Sequence, residues 1–474
     1  MTKPSSYNPK YALTRWLDAR LPILRFLYNL GVSFPVPRNL NYFYTFGGIL
    51  TLMLVSQILT GIVMSMHYIP DVTLAFDARE RFMRDGQFGW LFEPWHAVGS
   101  SFFFIAAYIH LARGLYYGSH KRPRELIWMI GVLIYLVMMA TAFLGYTLVW
   151  GMMSTSAASV ISGLFKAIPV IGPWLHETLL GGFNVGQPTL NRFYSLHYLF
   201  PFILVFLVGL HIWAVHHVGQ NNPTGVEVKS PSETVPFTPY ATIKDIFAIG
   251  VFLIFFAWFL FFMPDYMGHP DNYIAGDTMT TSPHIVPEWY FLPFYAMLRA
   301  ITFDFGPISS TFGGVLILMA AVLIWLFVPW LDRSKVRSAR YRPAFKLFYW
   351  LFIVDVVALG ILGAAPITES SVFWSQIATL YYFVFFLVIM PFLPKFEKTL
   401  PVPSSISEDL EQKGKQRPKR GGGYGKKTRS LLPCCYRLCS FAFCCFCRRG
   451  RRGALPVEAS RKTELELFRP LWHL

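Results

Sequence analysis

Residues 96–110 read HAVGSSFFFIAAYIH and residues 197–211 read HYLFPFILVFLVGLH. Each stretch is an apolar segment closed at both ends by histidine, and the histidines are 14 residues apart in both. In a helix, 14 steps of about 100° bring a side chain within roughly 40° of its starting azimuth and about 21 Å further along the axis. His96 and His110 therefore share one face of a helix, and so do His197 and His211. Histidine is rare inside a membrane span and marks function there. Facing each other, the two helices offer His96 opposite His197 and His110 opposite His211, two pairs of imidazoles at two depths. A pair of imidazoles fills both axial positions of one haem iron and leaves none open, which suits electron transfer. A lone histidine could equally make an interhelical hydrogen bond, but two pairs with one interval are poorly explained that way.

Glycines repeat the interval. Gly47 and Gly61 lie in one apolar run and Gly131 and Gly145 in another, again 14 apart. Glycine admits the close approach of a flat macrocycle, and small residues also serve plain helix packing. Arg113 and Arg192, each near a histidine, are candidate partners for haem propionates. Either could instead snorkel to the interface.

The rest of the chain provides the setting. Of 474 residues, 54% are hydrophobic, 18% aromatic and only 14% charged, and the mean hydropathy is +0.43. These values exclude a disordered chain and argue against a soluble enzyme. Eight runs of spanning length are expected: 44–66, 95–117, 127–149, 194–215, 243–263, 311–331, 346–365 and 373–394. The apolar window 156–180 is broken by Gly163, Pro169, Gly172 and Pro173, so surface helices are expected there, between spans three and four. The fold class is thus an all-α membrane protein: a two-haem four-helix bundle of spans one to four, followed by spans five to eight. Its expected parts are an N-terminal segment 1–38, the bundle 39–220, a loop 221–242, the C-terminal spans 243–394 and a tail 395–474.

Basic residues collect before span one, after spans two and six, and after span eight, whereas 264–310 has five acids against Arg299 alone. Both termini are therefore expected on the cytoplasmic side. The N-terminus is polar through Arg20, so no cleaved signal peptide is expected. The net charge of +16 is concentrated from Lys395 onward, where 18 Lys and Arg face seven Asp and Glu. It marks a disordered, lipid-seeking tail rather than a nucleic-acid site. All six cysteines, Cys434 to Cys447, are also in that tail. Their spacing matches neither zinc nor c-type haem attachment. Metal binding, acylation and a dispensable extension all stay open.

The paired histidines, the four glycines, RFYSLHYLFP (192–201), HIWAVHHVGQNNP (211–223) and Pro287-Glu288-Trp289-Tyr290 together resemble cytochrome b of the quinol–cytochrome c oxidoreductases. The resemblance runs from about Asn39 to Pro403. The chloroplast-type relative spaces its second pair by 15, so 14 in both pairs resembles the respiratory type. The loops around 155–180 and 224–241 resemble alphaproteobacterial members. The resemblance implies a bacterial inner-membrane location in preference to a mitochondrial one, two b-type haems and a Q cycle. His96/His197 would hold the outer, low-potential haem and His110/His211 the inner, high-potential one. Ubiquinol would be oxidised at an outer site and quinone reduced at an inner one.

At the outer site Glu288 is the expected proton acceptor, because burial raises a carboxyl pKa. Tyr146, Tyr295, Phe143, Ile161, Pro287 and Tyr290 match positions around that pocket. At the inner site His216, Asn222, Lys244 and Asp245 match quinone-contact and proton-uptake positions; His217 competes with His216, and the interval to Asn222 favours His216. The chain has no iron–sulfur ligand set and no CxxCH motif. A Rieske protein and a c-type cytochrome are therefore expected as partner chains, in a homodimeric complex. Three departures stand out. Glu93 replaces the family's arginine three residues before the first ligand, Ser154–Ala158 replaces SFWGA, and Asn41–Tyr44 replaces NYWW. An altered outer pocket is expected from the second. Two other readings are a two-haem anchor for another quinone-linked dehydrogenase and a cofactor-free transporter.

Overall fold

In lipid the backbone must satisfy its own hydrogen bonds, so the apolar runs fold as helices. The computed structural model describes residues 7–277 and 280–415. Eight of the helices described there are long and apolar enough to cross a membrane. Two short helices lead in, α1 (Ala12–Arg20) and α2 (Ile23–Gly31). The first four spans are α3 (Phe46–Ser65, preceded by a 3-10 turn at Tyr42–Thr45), α5 (Gly89–Tyr116), α6 (Glu125–Leu148) and α9 (Gln187–Val218). Between them lie α4 (Ala75–Asp85) and the expected pair between spans three and four, α7 (Met152–Gly163) and α8 (Gly172–Leu180). The later spans are α10 (Thr242–Phe262), α12 (Ser310–Leu331), α13 (Pro343–Ala364) and α14 (Glu369–Val384), with short α11 (Leu292–Arg299) before α12. The eighth span continues through a π turn to Lys395.

Helices α5 and α9 begin well before the apolar runs that announce them. A run reports the length that needs lipid, while α9 begins where Gly186 N–H donates to Thr189 Oγ1 at 3.2 Å, with Pro188 in the first turn. Helix α3 packs along α5 and α6 along α9, and α10 closes against α3 and α5. A second core joins α6 to α11, α12, α13 and α14 through buried Phe345, Phe352, Tyr382, Phe385 and Phe386. Large side chains face outward along the spans, such as Ile254 at 70% and Phe262 at 72% exposure. Apolar surface of that extent is stable against lipid tails, not water.

Two features depart from what the sequence leads one to expect. Pro35–Pro37 pairs antiparallel with Thr234–Pro236, so Val36 meets Val235. Ile406–Lys415 is helical although the composition of 395–430 reads as disordered. Its order comes from tertiary anchors: Ile406 is fully buried, Ser407 N–H donates to Glu233 at 3.1 Å, and Arg340 pairs with Asp409 at 3.2 Å. Ser405 Oγ accepts from Glu408 N–H in the first turn. The cysteines Cys434–Cys447 lie outside the described residues.

The basic ends of spans two, three, six and seven meet in a buried knot of charge. Asp332, after α12, accepts from Lys121 at 2.9 Å, from Arg342 at 3.1 Å and from His120 at 3.1 Å. Burial opposes ionisation of Asp332, but these neighbours outweigh it and hold its carboxyl well below the usual range.

Candidate haem and quinone sites

Each of the four glycines faces one of the four histidines across a helix pair. A Cβ added at Gly47 would stand 3.7 Å from His110 Cε1, at Gly61 3.2 Å from His96 Cε1, and at Gly131 3.3 Å from His211 Cε1. At Gly145 it would lie 2.8 Å from His197 Nδ1 and 2.9 Å from Nε2. The glycines therefore do more than leave room for a macrocycle. They let each imidazole lie directly against the neighbouring backbone, and that contact fixes the ring.

His96 and His197 face one another with ring centroids 6.2 Å apart and planes at 82°. Two imidazole–metal bonds of about 2 Å, plus about 1.1 Å within each ring, span roughly 6.2 Å. The separation thus fits one six-coordinate iron between them. Their Nδ1 atoms are engaged elsewhere. Thr60 Oγ1 donates to Ser56 O at 2.9 Å, so its lone pair accepts from His96 Nδ1 at 2.8 Å. His197 Nδ1 donates to Thr141 O at 2.8 Å. Each ring keeps the tautomer that leaves Nε2 free for a metal. The donor set, its spacing and the glycine cradle fit a haem.

At the inner pair each ring likewise lies against its glycine. Arg113 approaches His110 Nδ1 at 3.1 Å, lies 4.6 Å over the Tyr44 ring and keeps its buried Nε without a partner. An iron-bound imidazole carries a hydrogen on Nδ1 and cannot accept there, so a ligated His110 turns this guanidinium toward another acceptor. A propionate is such an acceptor. Arg192 does not reach the other pair: it donates to Thr178 O and packs under Gly181. The tight left-handed turn at Gly181, φ +76°, brings that carbonyl into its path.

A cavity of about 550 Å³ is lined by His96 and His197 together with Tyr146, Glu288 and Tyr290. Trp289 Nε1 donates to Ser101 Oγ at 3.0 Å. The Tyr290 ring stacks on Phe104 at 3.9 Å, and its carbonyl accepts from Tyr108 at 2.5 Å. These anchors on α5 hold Glu288 at the cavity wall, where burial pushes its carboxyl up to about 7. Tyr146 OH accepts from Asn272 Nδ2 at 3.0 Å. Pro287, Phe143, Ile161 and Tyr295 are not among the residues lining this cavity. Phe143 turns to Phe193, and Tyr295 donates to Ile285 O at 3.1 Å.

Ser154–Ala158 are all buried, and Ser154, Thr155 and Ser156 pack against Asn272, Gly276 and Ser282. Ser154 N–H donates to Asn272 Oδ1 at 3.0 Å, and Ser282 N–H to Ser156 Oγ at 3.1 Å. Glu93, another of the three departures, is paired with Arg79 at 2.6 Å. Thr60, Asn272 and Arg79 were not singled out by the sequence. Only Thr60, beside Gly61, gave a local signal; Asn272 and Arg79 reach the cavity through tertiary packing.

On the inner side His216 sits against Ile212 O at 2.8 Å and Leu30 O at 3.1 Å, with the Phe34 ring tilted at 41° against it, centroids 4.0 Å apart. Lys244 Nζ donates to Leu40 O at 2.9 Å. The Asp245 carboxylate lies against α3 at Gly48. Asn222 is held in its loop: its Nδ2 donates to Val226 O at 2.6 Å, and its Oδ1 accepts from Thr224 N–H and Asn39.

A family model described as Cytochrome b/b6/petB matches residues 31–219, and one described as Cytochrome b(C-terminal)/b6/petD matches residues 275–383. Cytochrome b of Rickettsia conorii is 52% identical over 395 residues, covering 83% of this chain and 97% of that protein. Cytochrome b/c1 of Bradyrhizobium diazoefficiens is 51% identical over 414 residues, covering 87% of this chain but only 59% of that longer protein. A solved structure described as Hyperthermophilic respiratory Complex III aligns with a TM-score of 0.75 and 34% identity, over 81% of this chain and 99% of that one. With its eight spans and facing histidine pairs, this chain is a multi-pass membrane protein that belongs to the cytochrome b family, whose members bind b-type haem.

Proposed function

We propose that this chain oxidises ubiquinol at an outer site and reduces quinone at an inner site, within a complex that passes electrons to a c-type cytochrome. The observation that carries the reading is the shared cavity: a buried carboxyl, Glu288, lines the same space as the facing imidazoles of His96 and His197. Two b-type haems, held by His96/His197 and His110/His211, would conduct single electrons across the membrane between the sites. Glu288 accepts a proton from the quinol hydroxyl, which its carboxyl can do only when ionised. The Tyr146 hydroxyl, oriented by Asn272, sits on the same cavity wall and positions the quinol head. Tyr290 holds the loop. At the inner site His216 and Asp245 meet the quinone oxygens, and Lys244 relays protons from the cytoplasm.

A Rieske protein and a c-type cytochrome from other chains complete the reaction, and a homodimer of the complex in a bacterial inner membrane, with both termini cytoplasmic, is the proposed setting. The test is Glu288→Gln in the assembled complex. Quinol–cytochrome c turnover is expected to fall about 100-fold or more, while haem reduction through the inner site persists. Unchanged turnover would remove the carboxyl from the reaction and favour a two-haem anchor that serves another donor.

A further inference from the structure

Glu93 is one turn before His96 on α5, and its side chain is 8% exposed. Its counter-ion comes from a different helix: Arg79 on α4 donates from Nε at 2.9 Å and from Nη2 at 2.6 Å to the same carboxylate oxygen. Arg79 Nη1 continues to Glu80 at 3.1 Å and to Asn272 O at 3.4 Å. The guanidinium lies 5.4 Å from the Tyr273 ring and is itself only 9% exposed. Both Arg79 and Glu93 line the cavity shared by His96 and His197. The resemblance implies arginine where Glu93 stands; here the ligand-bearing helix carries an acid at that position and the preceding helix supplies its base.

A buried ion pair is costly to build and often adds little stability over a packed apolar pair. Its field, however, is weakly screened where water is excluded. A carboxylate on the wall of an iron site favours the ferric state, and a guanidinium favours the ferrous one. We propose that the Arg79–Glu93 pair keeps two opposite charges balanced on the wall of the outer haem's cavity, so that loss of either charge alone shifts that haem's reduction potential. The proposal rests on the reading that His96 and His197 hold that haem. Both residues act through the field at the iron and are positioning residues, not ligands.

The test is a redox titration of the complex in native membranes, followed by the absorption of the b-type haems, for Glu93→Gln, Arg79→Gln and the double variant. Glu93→Gln removes a negative charge and is expected to raise the outer potential. Arg79→Gln removes a positive charge and is expected to lower it. The double variant changes no net charge and is expected to return close to the wild-type value. The inner haem, with His110 about 21 Å along the same helix from His96, should move less in every case. Shifts of the same sign in both single variants, or none, would overturn the proposal. So would a double variant displaced as far as either single one. If a single variant loses the outer haem, the double variant decides: retention near the wild-type potential supports the proposal, and loss assigns the pair to the fold and overturns it. Failure of the underlying reading looks different, because wild-type membranes would then show fewer than two b-type haems per chain.

Discussion

Replacing the four interval glycines by alanine, one at a time, should produce a graded series set by distances already in the structure. At Gly47 the new Cβ meets His110 at 3.7 Å, ordinary van der Waals contact. At Gly61 and Gly131 the approach is 3.2 and 3.3 Å, so a ring must give by a few tenths of an ångström. At Gly145 the methyl would overlap the His197 ring, with Nδ1 at 2.8 Å and Nε2 at 2.9 Å. That ring cannot retreat freely, because its Nδ1 is hydrogen-bonded to Thr141 O on the helix that carries Gly145. Relief requires breaking that bond or moving α9 away from α6. Overpacking of this kind costs about 1–3 kcal/mol, roughly a five- to 150-fold loss of haem affinity. The assay is haem content per chain from reduced-minus-oxidised spectra of purified complex, with potentials from titration. The expected order of damage is Gly145→Ala far above Gly61→Ala and Gly131→Ala, with Gly47→Ala nearest wild type. A Gly145→Ala complex with two haems at unaltered potentials would refute the idea that these glycines seat the imidazoles.

Because burial holds Glu288 protonated below about 7, quinol oxidation should rise as pH passes upward through that value, and Glu288→Asp should keep a pH-dependent rate while Glu288→Gln loses the dependence. A pre-steady-state series of outer-haem reduction between pH 6 and 8 would show it. Thr60→Val removes the acceptor for His96 Nδ1; the less basic ligand should raise the outer potential and weaken haem binding roughly 10- to 100-fold, read by titration and haem retention. Asp332→Asn leaves Lys121 and Arg342 without their shared carboxylate and should cost about 3–5 kcal/mol, seen as a lowered unfolding temperature in detergent. In the wild type the stabilisation from Asp332, whose folded pKa is depressed, is present above its ordinary value of 3.8 and is lost as pH falls below it.

The eight spans and the histidine faces were legible because lipid imposes long apolar helices and a helix imposes its own azimuth. Both rules act within a single segment. Less legible was what depends on contacts between segments. Asn222 and Arg192 carry suitable chemistry, and their side chains also bond to a neighbouring turn and to the Thr178 carbonyl. The helix Ile406–Lys415 is hidden in a polar, glycine-spotted composition because its order is supplied by Glu233 and Arg340, distant in sequence. Glu93 was visible as a departure from the family pattern, yet its partner Arg79 was one of several mixed charges in the 67–94 loop. The glycine interval is written in the chain, but the contact of each glycine with an imidazole depends on how two helices meet.

The pairing of glycine with histidine carries a statement about ancestry. Helices α3 and α5 form an up-and-down hairpin whose first arm offers two glycines and whose second arm offers two histidines, all at one interval. Helices α6 and α9 repeat that hairpin in the same order and the same direction. On the proposed ligation neither copy is a complete site: each would supply one imidazole to each iron, and two copies face to face would be needed to close both coordination shells. A bundle with this internal symmetry is the expected product of duplicating one helical hairpin that first worked as a self-associating pair. The later differences between the halves, Pro94 in α5 against Pro201 in α9 and Thr60 against a backbone carbonyl as imidazole acceptor, are then the divergence through which two once-equivalent arms acquired separate duties.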